Sequence, residues 1–311
     1  MRLTTLAKVK GLAGINNIED ELRIFKGEHV AMTLASDNVD VTDDNMMKRR
    51  PGFELLSAGT RMHSLWSDGT TALVVEDGNL CLINADFTRT ILCTARTQWA
   101  RMSYCKVPNG DIFFTNNNVI GYVRNGGSYA LPTVPAERQF RGQTQAGNFI
   151  EYFDARLWVA RGNVLYFSDT LAPESLDLRK GFFQFDKDIT LLRAVDDGIF
   201  VADGKTWFLA GKNPYKDYQR KLCADYDAIA FTDVAVDTQH IKRPQSTTAG
   251  ESYQGTAAIW TSEKGICYGF NGGKFKNPTL NNYSLPSTYR MGTAAFMIHN
   301  NAHKYVSLLM K

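Results

Sequence analysis

Short runs of apolar, β-branched and aromatic residues recur along most of the chain, and each run ends at a turn rich in Gly, Asn or Asp. Asp77-Gly78, between the runs 71–76 and 79–84, is typical of a two-residue hairpin turn, because both turn positions must tolerate a positive φ. With the runs 62–66 and 89–94 on either side, this stretch predicts a four-stranded antiparallel meander.

The same arrangement recurs about every 40 residues, a period typical of propeller blades. Further meanders are predicted over 101–127, 150–168, 190–210 and 256–277, and residues 229–236 are predicted as a strand at the start of a fifth unit. The fold class we expect is all-β, a β-propeller-like array of antiparallel meanders, and a β-sandwich with long insertions stays open as the alternative. A terminal hairpin is predicted over 293–298 and 305–309, where it would pair with N-terminal chain to close the ring and hide edge strands.

Two short segments have helical signals, at 19–25 and at 173–178, where Pro173 would occupy a first helical position. Residues 1–53 have weak β-periodicity, so we divide the chain into an extended N-terminal arm and assembly segment, 1–53, and a propeller-like domain, 54–311. Two long irregular stretches, 131–148 and 240–253, are interpreted as contact loops.

The net charge of +3, from 35 basic and 32 acidic residues, argues against a protein that wraps nucleic acid by charge alone. The five cysteines form no CxxC pair and lie among apolar residues, which favours buried free thiols. No segment has the roughly 18 uninterrupted apolar residues needed to span a bilayer, so no membrane partner is expected.

Motifs that carry chemistry are missing from the sequence. There is no Gly-x-Ser-x-Gly nucleophile elbow and no phosphate-binding loop, and the five histidines show no metal-ligand pattern. The sequence therefore predicts a protein that is not an enzyme, with no catalytic residue, no metal and no cofactor.

Basic residues supply the candidate contacts, because Arg and Lys side chains hold phosphates or the carboxylates of a partner. Lys48-Arg49-Arg50 is the most compact group, and the two irregular loops carry the others. The candidate assembly or phosphate contacts are Lys48, Arg49, Arg50, Arg138, Arg141, Lys242 and Arg243.

Several segments resemble tailed-bacteriophage virion proteins of the β-propeller tail hub or nozzle type. They are KGLAGINN at 10–17, DNVDVTDD at 37–44, KRRPGF at 48–53, LWVA at 157–160, GNVLYFSD at 162–169 and IWTS at 259–262. The resemblance implies a structural tail component in an oligomeric ring around the DNA exit channel. Its partners would be other copies of itself, portal, adaptor or other tail proteins, and passing DNA without sequence-specific contact. The protein would be made and assembled in the bacterial host cytoplasm and located in the virion tail.

Two other functions stay open. A carbohydrate-binding propeller, a receptor-binding adhesin or a lectin at the tail, would use exposed aromatic rings as a sugar platform. The aromatic residues considered for it are Trp66, Trp158, Tyr166, Phe167, Trp207 and Trp260. A glycoside-acting enzyme would need a pair of carboxylates, such as two among Asp186, Asp188, Asp196 and Asp197.

The cysteine pattern gives a first testable prediction. Titration of the denatured, unreduced protein with a thiol reagent should count all five cysteines as free thiols. A count of three or one would contradict it, because each disulfide removes two thiols.

Overall fold

The computed structural model describes residues 11–18, 30–33, 39–41, 47–49, 52, 54–94, 99–241, 253–299 and 302–311. Within these ranges the regular structure is β-strand, apart from two three-residue 3₁₀ helices, Thr238–His240 and Asn271–Gly273. The prediction of an all-β array of antiparallel meanders, like a β-propeller, is confirmed. None of the helical turns in the described part of the chain is long and apolar enough to cross a membrane.

The strands before the first meander form two small sheets. Their bounds are β1 (Gly11–Ile15), parallel to β2 (Val30–Thr33), and β3 (Val39–Val41), antiparallel to β4 (Met47–Arg49). Asn17, just after β1, makes three hydrogen bonds with a distant loop. Its backbone N–H donates to the Asn282 carbonyl, its amide Nδ2 donates to the Ser284 carbonyl, and its Oδ1 accepts from the Ser284 N–H, each at 2.9 Å. The segment after β1 is thus in contact with the loop that lies between blade 5 and the C-terminal strands.

Five four-stranded antiparallel sheets, which we call blades 1 to 5, make up most of the rest. Blade 1 contains β5 (His63–Ser67), β6 (Ala72–Glu76), β7 (Asn79–Ile83) and β8 (Arg89–Thr94). Blade 2 contains β9 (Ser103–Lys106), β10 (Ile112–Thr115), β11 (Ile120–Arg124) and β12 (Gly127–Ala130). β13 (Arg141–Gln143) follows outside the blades. Blade 3 contains β14 (Phe149–Phe153), β15 (Arg156–Arg161), β16 (Val164–Phe167) and β18 (Phe182–Gln184), while β17 (Ser175–Asp177) pairs with β13.

Blade 4 contains β19 (Leu191–Val195), β20 (Gly198–Ala202), β21 (Thr206–Ala210) and β22 (Gln219–Ala224). Blade 5 contains β23 (Val234–Asp237), β24 (Thr256–Ser262), β25 (Gly265–Phe270) and β26 (Lys274–Lys276). A two-stranded sheet follows, with β27 (Met291–His299) antiparallel to β28 (Ala302–Met310). We call it the terminal hairpin, and the sequence predicted it at this place.

The turn predicted at Asp77-Gly78 is present. The two residues have φ of 48° and 79°, and Glu76 pairs with Asn79 across the turn. Both central positions are thus left-handed, the arrangement whose twist matches that of the flanking strands.

The core lies between successive blades. Four buried apolar clusters fill the spaces between blades 1 and 2, 2 and 3, 3 and 4, and 4 and 5. Successive side chains of a strand point to opposite faces, so Phe114 packs towards blade 1 while its neighbour Phe113 packs towards blade 3. In the same way, Leu191 packs towards blade 5 and Leu192 packs towards blade 3. The central strands are therefore apolar on both faces.

Two expectations change with the structure. The helical turn predicted at 173–178 is wrong: Ser175–Asp177 is strand β17, whose antiparallel pairing with β13 prevails over the local preference set by Pro173. In the described ranges β28 pairs with β27 alone, so no N-terminal strand closes the ring there. The helical signal at 19–25 lies outside the described residues.

Other expectations agree with the structure. All five cysteines are free thiols, and Cys81, Cys105 and Cys267 are buried. Trp158 and Trp260 are buried, and Trp207 is partly buried. The division into an arm and a domain at residue 54 stays a prediction.

Trp158 and Trp260 provide a matched test of the packing. Both indoles are 0% exposed, but Trp158 Nε1 donates to the Phe153 carbonyl at 3.1 Å, whereas Trp260 Nε1 has no hydrogen-bond partner among the residues that the structure describes. Each Trp→Phe change leaves a similar cavity, and only Trp158→Phe also breaks a hydrogen bond. We expect Trp158→Phe to lower the free energy of unfolding by about 1 kcal/mol more than Trp260→Phe. Urea unfolding measures this difference, and an equal or larger loss in Trp260→Phe would contradict it.

Candidate functional site

The inner strands of the blades meet at a central cavity of about 410 Å³. The strands that line it are β5, β9, β14, β19, β23 and β27, one from each blade and one from the terminal hairpin. Exposed residues at its wall, such as Leu65 and Ala295, open it to solvent between blade 1 and the hairpin. We call it the axial cavity.

Three charged residues from three blades form a cluster at the wall of the axial cavity. Arg193 of β19 binds Glu151 of β14 through Nη1 at 2.9 Å. The same guanidinium binds Asp233, next to β23, through Nη2 at 2.6 Å and Nε at 2.8 Å. Arg193 is thus shared between two carboxylates, and the cluster joins blades 3, 4 and 5 at their inner edges.

Burial and the neighbouring charges have opposite effects on the pKa values in this cluster. Burial raises the pKa of Glu151, although the charge of Arg193 and the N–H groups of Tyr152 and Ala194 oppose it. Burial tends to lower the pKa of Arg193. The negative charges of Asp233 and Glu151 outweigh this effect and raise the pKa of the guanidinium. The Arg193 guanidinium is thus bound between two carboxylates. Because its pKa is raised, Glu151 is protonated more readily than an ordinary glutamate.

The second feature of interest is the terminal hairpin, which is the sixth sheet in the series and has two strands where each blade has four. One face packs on blade 5, where the Tyr305 hydroxyl donates to the Thr232 carbonyl at 2.6 Å and lies 2.8 Å from Thr261 Oγ1. Side chains of the opposite face, including Met297, Val306 and Leu308, are exposed. In the described ranges β28 has no strand beside its outer edge, and apolar surface next to such an edge is typical of interaction surfaces.

The basic residues predicted as contacts do not gather in one place. Lys48 and Arg49 are exposed on β4, and Arg138 is exposed in the loop before β13. Arg141 instead binds Asp169 at 3.1 Å and Asp177 at 2.6 Å within blade 3 and its small side sheet. Arg50, Lys242 and Arg243 lie outside the described residues.

Asp177, beside blade 3, is paired with two arginines, Arg141 and Arg179. A hydrogen bond from Arg179 and another from Arg141 lower the pKa of Asp177, against the effect of burial. Arg141 therefore serves the fold, and its charge is already balanced within the chain.

The aromatic residues considered for a sugar platform are mostly internal. Trp158, Phe167 and Trp260 are fully buried, and Trp66, Tyr166 and Trp207 are half-buried. Among the residues that the structure describes, no group of three or more His, Cys, Asp or Glu side chains could hold a metal ion.

Sequence reasoning missed Glu151, Arg193 and Asp233. A signal was present, because Glu151 and Arg193 each interrupt an otherwise apolar or aromatic strand run, FIEYF and LLRAV. Charged residues in such positions are almost never buried unless they are paired. Which side chains pair with one another depends on the order of the blades around the cavity.

No protein-family model matches the chain, and no curated protein matches it. Similar solved structures exist. A gluconolactonase from Xanthomonas campestris is 11% identical over 82% of this chain and 88% of its own, with a TM-score of 0.42. A streptogramin B lyase is 12% identical over 88% and 86%, with a TM-score of 0.46. The Neurospora crassa Pan2 WD40 domain is 11% identical over 76% and 68%, with a TM-score of 0.45.

The prediction that the chain is not an enzyme is contradicted by these comparisons, since two of the three structures are enzymes by name. The prediction rested on the lack of contiguous motifs. Residues such as Glu151, Arg193 and Asp233, which come from separate blades, leave no such motif. At 11–12% identity the likeness concerns the fold and brings no activity to this chain.

Loss of Arg193 should be costly and dependent on pH. Arg193→Leu leaves two buried carboxylates without their cation, and we expect a loss of about 3–5 kcal/mol in the free energy of unfolding at pH 7. A carboxyl group with a raised pKa in the folded state stabilises below its ordinary pKa, and this stability is lost as the pH rises through the raised value. The variant should therefore recover stability between pH 7 and pH 5, by more than the wild type does.

Arg141→Leu is the matched control, because Arg141 also binds two carboxylates but is partly exposed. We expect it to cost about 1 kcal/mol, as for exposed pairs. Urea unfolding of both variants at pH 7 and pH 5 makes the comparison. Equal losses, or an Arg193→Leu loss that does not change with pH, would contradict the prediction.

Proposed function

We propose that the protein is a structural subunit of a bacteriophage tail, and that copies of it form a ring around the DNA exit channel. The observation that carries the proposal is the terminal hairpin, a two-stranded sheet in a series of four-stranded ones. The resemblance of residues 10–17, 37–44 and 48–53 to tail proteins supports it from the sequence.

The terminal hairpin has two features that suit contact with another chain, a long strand edge and an exposed apolar face. Its strands are nine residues long, and within the described ranges the outer edge of β28 has no strand beside it. Leu308 is 66% exposed and lies on the same face as Val306 and Met297. Burial of one such side chain is worth roughly 1.5–3 kcal/mol, so a few of them can hold an interface.

A second copy of the chain is the occupant that we propose for this face. In a closed ring each subunit uses two different surfaces, one for each neighbour. The loop 131–148, between blades 2 and 3, is the second surface that we propose for the ring. It contains Phe140, which is exposed and whose ring centroid lies 4.0 Å from Cζ of the Arg179 guanidinium.

The charge of the chain suits a channel through which DNA moves. A net charge of +3 over 311 residues gives little attraction for the phosphate backbone, so DNA could pass without being held. Lys48 and Arg49 are exposed, and they remain candidates for contacts with the carboxylates of neighbouring tail proteins.

The composition of virions tests the proposal directly. Mass spectrometry of purified phage particles should find the protein in a fixed number of copies per particle. Its absence from particles that are complete and infectious would overturn the proposed function.

A point substitution tests the hairpin. Leu308→Lys puts a charge into the proposed interface, so we expect the association constant to fall at least tenfold, while the monomer changes by less than about 0.5 kcal/mol. Leu222→Lys is the control, an exposed strand leucine (49%) on the outer strand of blade 4. Light scattering over a concentration series gives the oligomer mass. Equal effects of the two variants, or a wild type that stays monomeric at every concentration, would rule the hairpin out as an interface.

A further inference from the structure

A groove of about 420 Å³ lies between blades 2 and 3, where the loop 131–148 begins. Phe113 of β10 and Leu157 of β15 are buried at its floor. Pro132 and Leu171 are exposed at its lip, so the groove is open to solvent. We call it the blade 2–3 groove. Its lip offers apolar side-chain surface that a partner can contact.

Leu171 has an unusual conformation for a leucine at a protein surface. It is 79% exposed and has a φ of 56°, in the left-handed region that favours Gly and Asn. Its backbone N–H donates to the carbonyl of Ala155 at 2.8 Å, and Ala155, which also lines the groove, has a φ of 55°. Backbone strain of this kind is concentrated at functional sites. A large apolar side chain is thus held in solvent at a cost in stability, which points to a contact outside the chain.

The blade 2–3 groove carries one negative charge that the described chain does not compensate. Three charged residues line it, Asp111, Arg124 and Glu174. Arg124 binds Asp111 through Nε at 2.7 Å and through Nη2 at 2.5 Å, so these two charges cancel. The Glu174 carboxylate has no ion pair among the residues that the structure describes. Glu174 therefore makes the groove a better site for a cation than for an anion.

The terminal hairpin has the complementary charge. Residues 291–311 contain two lysines and neither Asp nor Glu. Side chains alternate along a strand, so Lys304 lies on the same face of β28 as Val306 and Leu308. Tyr305 packs on blade 5 from the opposite face. Successive side chains of one face are about 7 Å apart, so this face has an apolar pair with a cation beside it.

We propose that the terminal hairpin of one copy docks into the blade 2–3 groove of a second copy. The side chains of Val306 and Leu308 pack against Leu171 at the lip. Lys304 forms an ion pair with Glu174. The hairpin and the groove are different surfaces of the chain, so the contact is heterologous, as a closed ring of copies requires.

This inference rests on the proposed function, because it requires copies of the chain to associate through the hairpin. It adds the surface that receives the hairpin. That surface adjoins the loop 131–148, whose first residues, Leu131 and Pro132, line the groove. Opposite charges across an interface fix its register and suppress wrong partners. The pair of Lys304 with Glu174 therefore sets the position of β28 along the groove.

A charge exchange in the full-length chain tests the ion pair. We expect Glu174→Lys and Lys304→Glu each to weaken self-association about tenfold, because like charges then face each other across the interface. The double variant has the attraction again with its signs reversed, so its association constant should return to within about threefold of the wild type. Sedimentation equilibrium over a concentration series measures these constants.

Glu54→Lys is the control for net charge. Glu54 is exposed and does not line the groove, and its substitution changes the net charge as Glu174→Lys does. Its association constant should equal that of the wild type. The docking site is overturned if the Glu54 and Glu174 variants behave alike, or if the double variant associates no better than the single ones.

Leu171→Asn separates the contact from the fold. Asn adopts a left-handed φ more readily than Leu, so the urea midpoint of the monomer should not fall. Loss of the apolar lip should weaken self-association about tenfold. Phe87→Asn on blade 1 is the matched control, because Phe87 is also exposed and has a φ of 62°. Its association should be unchanged, and a Leu171→Asn variant that associates as well as the wild type contradicts the proposal.

The outcomes separate this inference from the proposed function. Leu308→Lys tests the hairpin as an interface, whatever surface receives it. If it weakens self-association while Glu174→Lys and Leu171→Asn do not, the groove is wrong and the ring stands. A wild type that stays monomeric at every concentration overturns both.

Discussion

Face-to-face packing of sheets is the constraint on which the rest of this structure depends. A blade with neighbours on both sides must be apolar on both faces, as the oppositely directed pair Phe113 and Phe114 illustrates. The requirement ends at the last sheet of the series, since the terminal hairpin packs on blade 5 with one face and exposes the other. The packing that forms the core therefore also leaves exposed the surface that we propose for assembly.

The centre of the molecule is held together unevenly. On one side the Glu151, Arg193 and Asp233 cluster links blades 3, 4 and 5 through charged hydrogen bonds. On the other side, Arg101, just before blade 2, donates a hydrogen bond from Nη2 to the Gly292 carbonyl of the hairpin. The axial cavity lies between these two sides, with an ion-pair cluster at one part of its wall and a hydrogen bond to a backbone carbonyl at another.

Local patterns predicted the fold well, because a hairpin turn and an alternating strand are encoded by neighbouring residues. Asp77-Gly78 was predicted as a turn for that reason, and the terminal hairpin was predicted in the same way. The pairing of β13 with β17 was missed, since it joins segments separated by most of blade 3. The sites were missed for the same reason: Arg193 meets Glu151 and Asp233 only once three blades are in place. The ion pairs of Arg141 with Asp169 and Asp177 were also not predictable from the order of residues along the chain.

The contact between Asn17 and Ser284 bears on the order of events during synthesis of the chain. These residues are separated by 267 positions, whereas blade pairing is between near neighbours in sequence. As the ribosome extends the chain, each meander can form soon after it emerges and pack on the one before it. The junction with Asn17 must wait until Ser284 has been made, because its closure spans nearly the entire polypeptide. Asn17 consequently lacks these native partners for most of translation, and in that interval the chain around it is accessible to chaperones and proteases of the cell.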